Sequence, residues 1–394
     1  MANNATTMNP PSGMVNAVAL AGIAGVVVSL ALVFMNMMDQ HHASFNTTSD
    51  GIVWGLPVAT YVFFVLTSTG LTFVASFGMV FGIKEFYPVA KRCVWLAFAT
   101  LVAGFTALAF ELGHPFRMIW AIPTSFQIVS PMNWMGVLYL AYVAFLLLKF
   151  QKINAGDWDS PASKKLGIAS FVAVILAHAT LGTVFGMMAM RPFWFGGMIP
   201  VYFLLTALLS GIALTVLMTY VAYGFSRDGM PPALQDLLKG TTSTLYGSMP
   251  VIFATVLGVA IVALTARTAT GLWSHQDGFQ AFDWMVASPW FAIEVIGMLV
   301  AFFLMANPGT RAGVGSQVAA AALVLVGLFI GRYEFVIGGQ VVPVFKGAWV
   351  DGFVEYAPSA TEWLLAVLAI SLCLAIYAFG EKKLNLGAAP ENGA

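Results

Sequence analysis

The sequence predicts an all-α integral membrane protein of about ten transmembrane helices, arranged as two four-helix bundles plus two peripheral helices. Three observations predict it. Of 394 residues, 60% are hydrophobic and only 9% are charged, whereas soluble domains carry roughly 25% charged residues. The mean hydropathy is +0.87, and a soluble chain this apolar has too little polar surface to cover itself; a bilayer removes that demand. Apolar runs of the length needed to cross a bilayer, about 20 residues, recur ten times along the chain.

In order, the runs are approximately Met14–Met38, Ile52–Gly82, Cys93–Gly113, Met132–Phe150, Lys165–Met190, Gly197–Phe225, Ser248–Ala269, Val286–Ala306, Ser316–Phe335 and Ala360–Phe379. The polar residues 1–13, with Pro10 and Pro11, read as a tail. The first run (14–38) is too long for the h-region of a cleaved signal, and no basic segment precedes it, so it is expected to be a retained span. Span two is long enough to tilt or to protrude from the bilayer. Residues 52–190 form the first expected bundle and 197–335 the second. A loop (336–359) follows, then the second peripheral helix with its tail (360–394).

Lysine and arginine set the expected orientation. The side holding the N-terminus, side A, carries Lys84, Lys91, Arg92, Lys149, Lys152, Lys164, Lys165, Arg227, Lys239, Arg311, Lys382 and Lys383. Side B carries Arg117, Arg191, Arg267, Arg332 and Lys346. This bias places both termini in the cytoplasm of a bacterium and side B, with its histidine- and aromatic-rich loops, in the periplasm.

A weak internal echo relates spans two and six: Leu56-Pro57-Val58 opens one and Ile199-Pro200-Val201 the other, with Thr69-Gly70 and Ser210-Gly211 at mid-span. It suits two related bundles, spans two to five and six to nine. Proline and small residues are also simply common in membrane helices, which leaves the repeat open.

The formal net charge is zero, so nothing points to nucleic acid. Two isolated cysteines, Cys93 and Cys373, cannot ligate an iron–sulfur cluster or build a zinc site. A bis-histidine haem needs two buried histidines; His178 alone is deep, and His41, His42, His114 and His275 lie in side-B loops or at helix ends. The chain is therefore expected to hold neither haem nor metal.

An ionisable side chain at membrane depth costs at least about 2.5–3.5 kcal/mol, so each is a functional hypothesis. The densest group is Glu111-Leu112-Gly113-His114-Pro115-Phe116-Arg117 at the side-B end of span three. A carboxyl at the edge of the apolar run, beside an imidazole at the water boundary, suits proton exchange with a quinol. The alternative is a structural cap with Glu111 paired to Arg117. His178, in mid span five among small residues, is either a helix–helix hydrogen bond or a donor to a quinone carbonyl and a proton carrier. Arg191-Pro192-Phe193-Trp194 closes span five, Trp54 opens span two, and Asn133 and Trp134 open span four, all on side B. They read as aromatic-belt anchors or as the flanks of a flat head group entering from the bilayer. In the second half, Arg267, Glu294, Arg332 and Glu334 are either structural ion pairs or a proton relay, with Glu294 the deepest.

These residues resemble the NrfD/PsrC (polysulfide-reductase type) family of membrane subunits in respiratory complexes. The carriers are Ile52-Val53-Trp54-Gly55-Leu56-Pro57, the Glu111–Arg117 segment, Arg191-Pro192-Phe193-Trp194 with Ile199-Pro200 and Leu205-Thr206-Ala207, and Gly338-Gly339-Gln340-Val341-Val342-Pro343. Tyr356-Ala357-Pro358-Ser359 and Glu362-Trp363 follow. Ten spans and the Gly-Gly-Gln segment are similar to its ten-helix branch: DsrP-like, hydrogenase-type and alternative complex III membrane subunits. The resemblance implies two four-helix bundles, no haem or metal of the chain's own, and a quinone site (menaquinone or ubiquinone) in the first bundle. It implies an acidic residue where Glu111 stands and, in hydrogenase-type members, a histidine where His178 stands; His114 departs from the family's usual Arg or other residue. The expected partner is a periplasmic ferredoxin-like iron–sulfur subunit. Through it, electrons pass to or from a molybdopterin, multihaem cytochrome c or other redox subunit.

The expected function is a quinone-reactive subunit of an inner-membrane oxidoreductase, not catalytic alone, with Glu111 and His178 handling protons. Trp54, His114, Arg117, Asn133, Arg191 and Trp194 would surround the quinone. A secondary transporter or proton channel is the alternative, although its helices usually break at mid-membrane, whereas Pro115 and Pro192 lie at span ends. A structural anchor whose quinone site has been lost is a third reading.

Overall fold

The computed structural model describes residues 12–48, 51–112, 116–239, 248–344 and 352–390. His114, Pro115 and Lys346 lie outside them. Among the described residues, ten helices are long and apolar enough to cross a membrane: α1 (Gly13–Gln40), α2 (Leu56–Met79), α3 (Tyr87–Glu111), α5 (Pro131–Asn154), α6 (Pro161–Gly186), α7 (Ile199–Ala222), α9 (Met249–Trp273), α11 (Pro289–Ala306), α13 (Val314–Gly338) and α14 (Ala360–Lys383). The same residues hold four short α-helices, α4 (Arg117–Thr124), α8 (Pro232–Lys239), α10 (Gln280–Ala287) and α12 (Pro308–Arg311).

Proline sets where most spans begin. Pro57, Pro88, Pro131, Pro161, Pro200, Pro250 and Pro289 each stand in the first turn of a span, where the missing N–H has no intrahelical partner to lose. This corrects the expected length of span two. Pro57 starts α2 at Leu56, and Gly82 turns the chain away with φ of 73°, so the helix has 24 residues and needs no protrusion. Span five ends at Gly186, short of Pro192, and Gly196 N–H donates back to its carbonyl (3.0 Å).

Burial separates the centre from the periphery. The most apolar stretch of α2 is 89% buried inside the protein, against 22% for α1. Helix α2 packs on α3, α6, α7, α13 and α14, whereas α1 packs mainly on α14. On the far side of α7, helices α9, α11 and α13 pack on one another or on α7. Without a hydrophobic driving force between helices in lipid, close packing depends on small residues. The limiting case is the α2–α7 crossing, where the two mid-span glycines of the echo face each other: a Cβ on Gly70 would run into Ala207 and Gly211 backbone, and one on Gly211 into Gly70 backbone.

Side A is tied by polar contacts within the protein. Arg92 Nε donates to Glu381 Oε1 on α14, and Lys149 Nζ donates to Ser163 Oγ (2.7 Å) and Trp158 O (3.2 Å). Lys91, Arg92 and Lys149, counted among the side-A charges, are thus buried; α3 begins at Tyr87, six residues before the expected Cys93, and draws two of them into its first turns.

Replacing Gly70 or Gly211 with Val is expected to destabilise the protein by about 1–3 kcal/mol or more, seen as a lower melting temperature in detergent. Gly315→Ala, whose Cβ meets nothing within 4 Å, serves as the control and should leave it unchanged. Equal tolerance at all three positions would remove the crossing as a constraint.

Candidate functional site at the side-B end of the first helices

The segment leading into α2 has no regular structure, so its backbone groups need other partners. Gln340, buried just past the end of α13, supplies them. Its Oε1 accepts from Val53 N–H (2.9 Å) and Trp54 N–H (3.0 Å), and its Nε2 donates to Trp54 O (3.0 Å) and Val336 O (2.9 Å). One amide thereby uses all its capacity. Arg191 holds the same stretch from outside, donating to Val342 O (2.9 Å) and Gln340 O (3.3 Å).

Three sequence-predicted residues meet here. Trp54 stacks on Trp194 with ring centroids 5.4 Å apart, and Arg191 reaches the Gln340 clamp that binds Trp54. Trp194 is only 2% exposed, and its indole N–H is committed to Phe335 O (2.6 Å). Its ring joins the opening of α2 to α13.

Next along the chain, Tyr356 Oη accepts from Leu56 N–H (2.8 Å) and donates to Glu362 Oε1 (2.7 Å). Glu362 also closes a capping box at the start of α14, with Ser359 N–H to Oε2 (2.6 Å) and its own N–H to Ser359 Oγ (3.2 Å). Burial pushes the Tyr356 hydroxyl well above the usual phenol range, with Glu362 adding to it. It stays a neutral donor.

Glu111, the last residue of α3, brings its carboxyl to the same place: the Gly55 backbone N–H approaches it and Glu362 is its charged neighbour. Its Oε2 is buried and has no hydrogen-bond partner among the described residues. Arg117 is exposed at the start of α4, and no ion pair joins it to Glu111 among the described residues. Asn133 is half-buried in the first turn of α5.

His178 stands elsewhere. It is fully buried on α6, with Nδ1 3.0 Å from Val174 O, and Nε2 2.7 Å from Val65 O and 3.2 Å from Tyr139 Oη. A neutral imidazole has one N–H, so it can satisfy one of the two carbonyls; only the doubly protonated ring satisfies both. With the N–H on Nδ1, Tyr139 donates to the bare Nε2. Tyr61 lies near Tyr139 and directs its hydroxyl to Met135 Sδ (4.0 Å). Nearby, the Tyr142 hydroxyl lies 2.6 Å from Thr72 Oγ1 and 2.9 Å from Ser68 Oγ. Sequence reasoning passed over these three tyrosines, though Tyr139 and Tyr142, three apart on α5, share a helical face.

Glu111 and His178 do not touch. Glu111 lies near Gly55 and His178 bonds at Val65, ten residues further along the chain through α2 and so about 15 Å deeper. Tyr61 lies between these levels.

In the second half, Glu294, Arg332 and Glu334 are buried and Arg267 is half-buried. Opposite charges do not pair within 4 Å among them. Arg332 instead donates to Thr206 Oγ1 and lies 4.8 Å from the Phe203 ring centroid. Arg267 donates to Phe193 O (3.1 Å) and lies 4.4 Å from the centre of that ring. Ser288 and the Phe291 backbone approach Glu334, but neither carboxylate oxygen makes a hydrogen bond.

With ten candidate membrane spans among its described residues, the chain is built as a polytopic integral membrane protein. Residues 44–344 match the family described as polysulphide reductase, NrfD, and the chain belongs to that family. It is 25% identical to a selenate reductase subunit of Mesobacillus selenatarsenatis, over 82% of this chain and 84% of that one. It is 24% identical to the Hdr-like menaquinol oxidoreductase integral membrane subunit of Archaeoglobus fulgidus, over 89% of each. Protein NrfD of Escherichia coli is 22% identical over 74% of this chain and 96% of its own.

Gln340→Leu should leave the Val53 and Trp54 backbone groups unpaired and cost roughly 2–4 kcal/mol. Limited proteolysis should then cut the segment before α2 faster; an unaltered cleavage rate and melting temperature would show that the clamp is dispensable.

Proposed function

We propose that the protein is the quinone-reactive membrane subunit of a respiratory oxidoreductase, exchanging electrons between a membrane quinone and a periplasmic iron–sulfur partner. The observation that carries this reading is the partnerless, buried Oε2 of Glu111 in a protein of this family. An unsatisfied carboxyl oxygen at the membrane boundary fits a ligand that brings its own hydroxyl or carbonyl to that level. Menaquinol in the name of one relative and a reductase in that of another support the same class.

The quinone, menaquinone or ubiquinone, supplies the two-electron chemistry when bound; the chain supplies position and protons. Glu111 holds or releases a proton at Oε2, at the level where a head group meets water. The Gly55 backbone N–H, just before α2, approaches that carboxyl. His178 takes a proton at Nε2 in the water-free interior, with Val65 O and Val174 O ready for a doubly protonated ring. Trp54, Trp194 and Arg191 shape the side-B wall, and Arg117 and Asn133 line its approach; His114, a candidate from the sequence for the same site, lies outside the described residues. Arg267, Glu294, Arg332 and Glu334 supply a proton path through the second bundle (197–335), the first bundle (52–190) holding the quinone.

The excess of basic residues on side A supports cytoplasmic termini in a bacterial inner membrane, which puts the site on the periplasmic side. There the iron–sulfur partner docks and passes electrons to or from a molybdopterin, multihaem cytochrome c or other redox subunit.

Glu111→Gln keeps shape and removes the proton. Quinol turnover of the assembled complex should fall by about a hundredfold or more while its subunits still co-purify. Undiminished turnover would take Glu111 out of the mechanism, and mass spectrometry of co-purifying proteins that finds no redox protein would sink the assignment.

A further inference from the structure

Between α3 and α5 the chain neither crosses the membrane nor has the composition of a loop in water. Over residues 116–134 Arg117 is the one charged residue, and there is no acid. Phe116, Trp120, Ile128 and Val129 are 74, 56, 73 and 86% exposed. Apolar surface left in water costs about 25 cal/mol per Å², and a patch of this kind marks contact with a protein or a membrane. Helix α4, with eight residues, is about 12 Å long, too short for a hydrocarbon core of about 30 Å.

Two contacts place the patch. The indole N–H of Trp134, in the first turn of α5, donates to Ile128 O (2.8 Å), and the Phe126 ring meets the Trp134 ring edge-on, centroids 5.3 Å apart. Trp134 is itself exposed, and Val137, Leu140, Ala144 and Leu148 continue its exposed face along α5 at helical spacing. The most apolar stretch of α5 is only 17% buried inside the protein, so this face meets hydrocarbon. The segment is therefore fastened to the lipid-facing side of a span, at the side-B end where that span begins.

We propose that residues 116–134 lie in the head-group layer of the side-B leaflet, with a lipid surface as their partner. Aromatic side chains favour that layer, and an amphipathic segment too short to span lies in its plane. Arg117 is exposed at the start of α4, where its guanidinium can meet a phospholipid phosphate. A soluble subunit docking here would find no acid and a single cation with which to fix its register. The iron–sulfur partner accordingly docks on side B away from this segment. A molecule diffusing in that leaflet meets the segment before Glu111, six residues earlier in the chain; that step rests on the quinone reading above, and the lipid contact does not.

The two cysteines of the chain, Cys93 and Cys373, are both buried, so a single added cysteine can carry a bimane label. Ile128→Cys and Val129→Cys report on the segment, Leu140→Cys on the hydrocarbon, and Asp236→Cys, on exposed side-A α8, on water. Each is reconstituted in nanodiscs, as the subunit alone and in the assembled complex. Quenching is read with phospholipid bearing a head-group nitroxide, phospholipid bearing an acyl-chain nitroxide, and aqueous iodide. Labels at 128 and 129 are expected to be quenched several-fold more by the head-group nitroxide than by iodide, in both preparations. Iodide quenching equal to that at 236 in the subunit alone overturns the proposal. So does lipid quenching that disappears on assembly, which would give this face to a partner subunit. Turnover is not read, so loss of the quinone assignment through Glu111→Gln leaves the lipid contact standing, and the reverse holds.

Discussion

The rest of the fold depends on the backbone contact between α2 and α7. Two long helices in lipid gain little by burying apolar side chains, since lipid is equally apolar, so they hold together by how closely they approach. Gly70 and Gly211 allow that approach at one point, and each fills the space where the other's side chain would stand. Once the crossing is fixed, the remaining helices have two surfaces to pack on. Helix α3 packs mainly on α2 and α9 on α7, while α6 and α13 each pack on both.

A second constraint acts at side B. The segment before α2 has no ladder or helix to satisfy it, and the residues that do so come from far along the chain: Gln340, Tyr356, Glu362 and the ring of Trp194. Glu111 is the exception in this bonded surrounding: its Oε2 is buried and has no hydrogen-bond partner among the described residues. The arginines and glutamates of α9, α11 and α13 follow different rules. The arginines spend their donors on a carbonyl, a hydroxyl and aromatic faces, which leaves the carboxylates to balance charge at a distance rather than through contact.

Much of the fold was legible in the sequence, because a bilayer turns hydropathy into length and proline marks where seven of the spans begin. Residues such as Glu111 and His178 stood out for the same reason: in an apolar run an ionisable group is conspicuous. What stayed hidden was relational. Tyr139 and Tyr142 look like ordinary aromatic residues until packing brings the hydroxyl of one to His178 and that of the other to Ser68 and Thr72. Arg117 and Glu111 are close in sequence but not paired, since the helix ends between them and α4 carries Arg117 into solvent. Lys91 and Arg92 count with the side-A charges because hydropathy begins a span after its last charge, whereas the helix starts at Tyr87 and buries Arg92 against Glu381.

The dependence of the α2 opening on Glu362 has a consequence for how the protein is made. Gly55 and Leu56 emerge from the ribosome early, and the residues that complete their surroundings, Tyr356 and Glu362, stand about 300 positions later, the latter in the tenth span. At about 5–20 residues per second, the interval is roughly 15–60 s. During that time the membrane holds a chain with its first helices inserted and the neighbourhood of Glu111 unfinished. The site therefore matures only when the tenth helix docks, which ties its competence to completion of the spans rather than to insertion of the half that carries it.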